Sequence, residues 1–165
     1  MEYPCFIAHS TNDAEFAQQL QARMQQKHFH VWCMPEDMND SQKNLPHIDE
    51  AIRVHDKLLL VLSENSIQST WVKREIRKAR QLELETRRFS LFPISLIPLN
   101  RLLCWECIDS ETGEDLATEV LAYHIPDFSN WKDPDAFEDN FKKLTDALRA
   151  SEPDPAESRL SSPKS

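Results

Sequence analysis

The chain has 165 residues, 40% hydrophobic and 28% charged, which suits one domain with a full core plus a short appendage. Its net charge of -9 argues against broad binding to nucleic acid or an anionic membrane, because both call for a basic surface. A local pocket for a small anionic ligand stays compatible with that sign. Gly113 is the one glycine, so neither G-x-G-x-x-G nor a P-loop can be written, and a Rossmann dinucleotide site and a nucleotide triphosphatase are both excluded.

No apolar run approaches the roughly 20 residues needed to span a bilayer. The opening "MEYPCFIAHS" lacks the basic start and long apolar core of a secretory leader, so a cytoplasmic location is expected. Cys5 and Cys33 fall in apolar, strand-like runs, where a thiol acts as a small hydrophobe. Cys104 and Cys107 form a single C-x-x-C without a second ligand pair, and no histidine pair has metal-binding helical spacing. No metal and no cofactor are expected, and the cysteine usage fits a reducing compartment.

In chain order, residues 3–9 read as a short buried strand, followed by "STND" with turn and N-cap chemistry. From Ala14 to about Lys27, Phe16, Ala17, Leu20 and Met24 recur at helical spacing. "FHVWCM" at 29–34 predicts a second strand, and the polar stretch 35–45 a long loop. Pro46 opens a helix with Ile48, Ala51 and Ile52 on one face. "DKLLLVLS" is a continuous apolar run, the mark of a strand buried on both faces. A helix follows from Trp71 to about Arg88, with Thr70 as its cap. "FSLFPISLIPL" gives a fourth strand whose prolines place it near an edge or end it early. Residues 100–119 have no clear pattern, and "VLAYHI" is a candidate fifth strand. The last helix covers 133–150, capped by Asp133, with Phe137, Phe141, Leu144 and Leu148 as its buried stripe. Residues 151–165, rich in proline and serine, read as a disordered tail or a truncated linker beyond a domain spanning 1–150.

Strand and helix therefore alternate about five times, with crossovers long enough for right-handed parallel connections. The expected class is α/β: a three-layer sandwich with a mostly parallel five-stranded sheet and helices on both faces. In such sheets ligands bind beyond the carboxyl ends of the strands. His9, Ser10, Thr11, Asn12 and Asp13 follow the first strand, Glu36 and Asp37 the second, and Ser63, Glu64, Asn65 and Ser66 the third. Trp71 and Glu75 come next, four apart and on one helix face. On spacing alone, a core tryptophan and a dipole-favoured glutamate are a commoner source of such a pair than a pocket. A receiver domain would need an aspartate at the end of the third strand, where this chain has Ser63.

Four segments taken together resemble a TIR domain of the Toll/interleukin-1 receptor type, most nearly the bacterial members. They are "FIAHSTNDAEFAQQL", "VWCMPEDM" with "PHIDEAIRVHDKLLLVLSENSIQSTWVKRE", "RRFSLFPISL", and "HIPDFSNWKDPDAFEDNFKKLTDAL". The resemblance spans about residues 3–149 and implies a flavodoxin-like fold. It further implies cleavage of NAD+ at the nicotinamide–ribose bond through the W-x-x-x-E motif, here Trp71 and Glu75. On this reading Glu75 is catalytic, and His9, Ser10, Glu36 and Trp71 bind the substrate. The products would be ADP-ribose or a cyclic isomer. Self-association with other TIR domains, a sensor domain or effector as partner, and a role in bacterial immunity or signal transduction are implied in the same way. Three positions depart from the family: Ala8 replaces a serine, Ser41 a glycine, and Leu45-Pro46 an arginine-proline pair. Two other readings stand beside this one. The first is a non-catalytic TIR–TIR scaffold, acting as adaptor or virulence mimic; the second is a nucleoside deoxyribosyltransferase-like enzyme.

Overall fold

The structure is a computed structural model that describes residues 4–35 and 57–150. The predicted loop carrying Glu36, the helix opened by Pro46 and the tail at 151–165 lie outside the described residues.

Four strands form one parallel sheet: β1 (Pro4–His9), β2 (His30–Pro35), β3 (Lys57–Leu62) and β4 (Leu91–Ser95), in the order β2-β1-β3-β4. The chain moves outward from β1 to β2, then returns past β1 to β3. The topological switch point is thus between β1 and β3. All of β3 is buried, which explains why Leu58 to Leu62 is apolar without alternation.

The strands divide the core by their period of two. Phe6, Ala8, Leu58, Leu60 and Leu62 face α2 (Thr70–Thr86) and α4 (Leu116–Leu121). Cys5, Ile7, Leu59 and Val61 face α1 (Ala14–Gln26) and α5 (Pro134–Ala150). A short α3 (Leu99–Leu102) follows β4. The result is a flavodoxin-like three-layer α/β sandwich. The α5 stripe of Phe137, Phe141, Leu144 and Leu148 is buried as predicted, and Asp133 accepts the Ala136 N–H at 3.3 Å. Among the described residues, no helix is long and apolar enough to cross a membrane.

Three expectations need correction. "VLAYHI" is not a fifth strand: Asp115 caps α4 by accepting the Ala117 N–H at 3.0 Å, and Val120 becomes a core residue of that helix. The β4 edge instead gains an isolated parallel bridge between Ser95 and Asp127. The sheet therefore has four strands among the described residues. The cap of α2 is Ser69, and Thr70 is the first helical residue. Residues 100–119 contain the end of α3 and the start of α4 rather than irregular chain alone.

Hydrogen bonds from Leu58 N–H to Ser90 O and from Leu96 N–H to Leu62 O turn the even-numbered residues of this stretch toward β3. The backbone N–H and C=O groups at positions 91, 93 and 95 thus point away from β3. Pro93 has no N–H to offer there, which suits an edge strand. Glu83 Oε2 takes the N–H groups of Ser90 and Leu91, both at 2.9 Å, and so joins the end of α2 to the start of β4. With so little glycine, non-glycine residues adopt left-handed backbone beyond two helix ends: His28 at φ 70° and Arg87 at φ 60°.

Candidate active site at the strand ends

The sheet order brings the carboxyl ends of β1 and β3 side by side, where a doubly wound sheet opens a crevice. Ser10, fully buried, leaves β1 in an extended conformation and caps the 3-10 turn Thr11–Asp13, its hydroxyl accepting the Asn12 N–H at 3.3 Å. His9 is buried too, and its Nδ1 donates to the Ser10 carbonyl at 2.7 Å.

Beyond β3, two buried serines brace one another. The Ser63 N–H donates to Ser66 Oγ at 2.7 Å, and the Ser66 N–H donates to Ser63 Oγ at 3.1 Å. Ser66 Oγ in turn donates to the Val61 carbonyl at 2.7 Å. This fixes a second 3-10 turn, Ser66–Gln68, immediately ahead of α2. Trp105 also holds that turn, with its indole N–H on the Ile67 carbonyl at 3.1 Å.

The inward face of α2 carries Trp71, Val72, Glu75, Ile76 and Ala79. Trp71 is 5% exposed and packs with the α2-side core. Its indole N–H has no hydrogen-bond partner among the described residues. This is unusual, because a buried tryptophan N–H normally finds an acceptor. Glu75 is 0% exposed, and its Oε2 lies 3.9 Å from Nε of Arg74. Glutamate is almost never buried to that degree unless it is paired. The other bases nearby do form a more solvated face: Arg77 reaches Asp109 and Glu111, and Arg80 reaches Glu119.

Of the five sequence-derived site residues, Trp71 and Glu75 share one helix face, as their spacing requires. Within β1, Phe6 and Ala8 pack with the α2-side core and Cys5 and Ile7 with the opposite core, and His9 and Ser10 follow, both buried, at its carboxyl end. Glu36 lies outside the described residues. Glu75 is enclosed rather than standing at an open edge. The sequence reading places Asp13 and Ser63 at strand ends without a role in the site. The Ser63 hydroxyl donates to Asp13 Oδ2 at 2.5 Å across the switch point. The available signals were an aspartate in a cap position and the Ser-x-x-Ser spacing after the apolar run.

Two of the cavities among the described residues adjoin β4 and the start of α2. One of about 660 Å³ runs along the β4 edge between Phe89, Leu91, Pro93, Tyr123 and Ala147. Another of about 390 Å³ adjoins the start of α2, beside Thr70, Lys73, Arg101 and Cys104. Neither is lined by Ser10, Trp71 or Glu75, so their size says nothing about the chemistry at the switch point. Among the described residues, no group of three or more His, Cys, Asp or Glu side chains is placed to hold a metal ion. No disulfide joins the cysteines among the described residues, and burial pushes the Cys33 thiol up to about 11.

A parallel sheet in this order, with a buried carboxyl group on the helix after β3, defines a flavodoxin-like protein with a candidate site at its switch point. The TIR domain family profile matches residues 5–145, and the chain belongs to that family. No curated protein matches the chain.

Proposed function

We propose that this TIR domain is an NAD+ glycohydrolase that cleaves the nicotinamide–ribose bond, with Glu75 as the catalytic residue. The observation that carries the reading is a carboxyl group with no solvent exposure, one turn from a buried tryptophan whose N–H has no protein acceptor among the described residues. Breaking the C–N bond sends its electron pair to the pyridinium nitrogen, so nicotinamide leaves neutral and needs no general acid. Positive charge then builds on the ribose. A carboxylate in a dry site stabilises that charge far more than one in water. Water attacking the anomeric carbon gives ADP-ribose and releases a proton to solvent. An adenine nitrogen attacking instead gives a cyclic isomer.

In this reading Trp71 packs beside the ribose and Ser10 lines the β1 side of the pocket. His9 and Glu36 are proposed as further substrate contacts, His9 from the end of β1 and Glu36 from the loop after β2. The enzyme acts in the cytoplasm, in bacterial defence or signalling, and association with further TIR domains completes the pocket. The test is nicotinamide release from NAD+, with products separated by chromatography, for wild type and Glu75→Ala over a range of protein concentrations. Specific activity that rises with concentration and is lost in the variant supports the reading.

The complete enclosure of Glu75 also favours a second reading, a TIR–TIR interaction scaffold without catalysis. Wild-type protein that assembles but leaves NAD+ intact at every concentration would favour the scaffold.

A further inference from the structure

Asp13 stands where an aspartate would normally cap a helix. It directly precedes α1, yet its side chain makes no capping hydrogen bond to that helix. The carboxylate is instead turned across the sheet end to Ser63, 50 residues later in the chain. Both partners are buried, Asp13 at 9% exposure and Ser63 at 4%.

The bond joins two segments that otherwise leave the sheet separately. On one side, the turn Thr11–Asp13 is closed by Ser10, both through its hydroxyl and through its carbonyl, which accepts the Asp13 N–H at 2.9 Å. On the other side, Ser63 is locked to Ser66, and the turn Ser66–Gln68 leads into α2 with Trp71 and Glu75. A continuous hydrogen-bonded path therefore runs from Ser10 through Asp13 and Ser63 to the start of α2. It crosses the sheet between β1 and β3, the place where a doubly wound fold binds its ligand.

We infer that Asp13 is a positioning residue. Through Ser63 it sets the separation between the Ser10 side of the site and the helix that carries Glu75. The inference rests on the glycohydrolase reading above. Misplacing a reacting group by about 1 Å can cost on the order of 100-fold in rate.

The experiment is steady-state NAD+ turnover on folded protein, well below the melting midpoint, for Asp13→Ala, Ser63→Ala, the double variant, Asp13→Asn and Glu75→Ala. Asp13→Ala and Ser63→Ala are each expected to lower kcat by about 10- to 100-fold, with KM little changed. The double variant should be no slower than the slower single one, because both remove the same link. Asp13→Asn keeps an acceptor of the same shape and should recover most of the rate. Should Asp13→Ala fail to fold, Ser63→Ala and Asp13→Asn carry the comparison. Single variants at the wild-type kcat, or rate losses that multiply in the double variant, would overturn the inference while Glu75→Ala still upholds the reading. A wild type that never turns over NAD+ overturns both.

Discussion

Replacing Glu75 by glutamine removes the carboxyl group and almost no volume, so it separates chemistry from packing. The size of the effect depends on the medium around the carboxylate. At about 4 Å, a unit charge developing on the ribose gains about 1 kcal/mol from a carboxylate in water, but about 4 kcal/mol at the effective dielectric of a protein site. Glu75, Val72 and Ile76 are 0% exposed and Trp71 is 5% exposed, so the second value applies. With about 1.4 kcal/mol for each factor of ten, that corresponds to nearly three orders of magnitude in kcat. Arg74, its Nε 3.9 Å from the carboxylate and its side chain 36% exposed, offsets part of this. The expected loss for Glu75→Gln is therefore about 100- to 1000-fold in kcat, with KM nearly unchanged. Nicotinamide release over a series of NAD+ concentrations measures both constants, and a thermal melt checks that the variant is folded. A glutamine variant with kcat within about threefold of wild type would refute the electrostatic argument, and with it the role given to Glu75.

Other consequences concern stability and reactivity. Glu83→Ala strips acceptors from the N–H groups of Ser90 and Leu91 and from the Tyr123 hydroxyl, and should destabilise the fold by about 2–4 kcal/mol in denaturant titrations. Arg87→Gly relieves a left-handed residue beyond α2 and should raise stability by about 0.5–1 kcal/mol, seen as an upward shift in melting temperature. The Cys33 thiol is raised by burial from 9.0 to about 11, so the folded state holds its proton after the unfolded state has released it. Its contribution is whole below pH 9.0 and is lost as pH climbs toward about 11; a Cys33→Ala variant should show a shallower decline over that window. Thiol-specific labelling at neutral pH should modify exposed Cys104 well before Cys33 or buried Cys5.

Much of the fold was legible because its signals are local. Leu58 to Leu62 read as a strand buried on both faces, and Phe137, Phe141, Leu144 and Leu148 as a helix stripe, and both are found. Four-residue spacing likewise put Trp71 and Glu75 on one face without reference to anything else. "VLAYHI" failed because a short apolar run does not distinguish strand from helix, and the deciding residue, Asp115, lies before the run as the cap of α4. The capping expected from "STND" was satisfied by Ser10 at the 3-10 turn, which left the Asp13 carboxylate to reach Ser63 instead.

The sequence by itself therefore determined the alternation of elements, the core faces and the pairing of Trp71 with Glu75, since each follows from the period of a strand or a helix. Only the tertiary structure decided that Glu75 is fully enclosed and that Asp13 is bonded to Ser63. Those facts depend on the order β2-β1-β3-β4, which brings residues 50 positions apart into contact, and no local period carries that information.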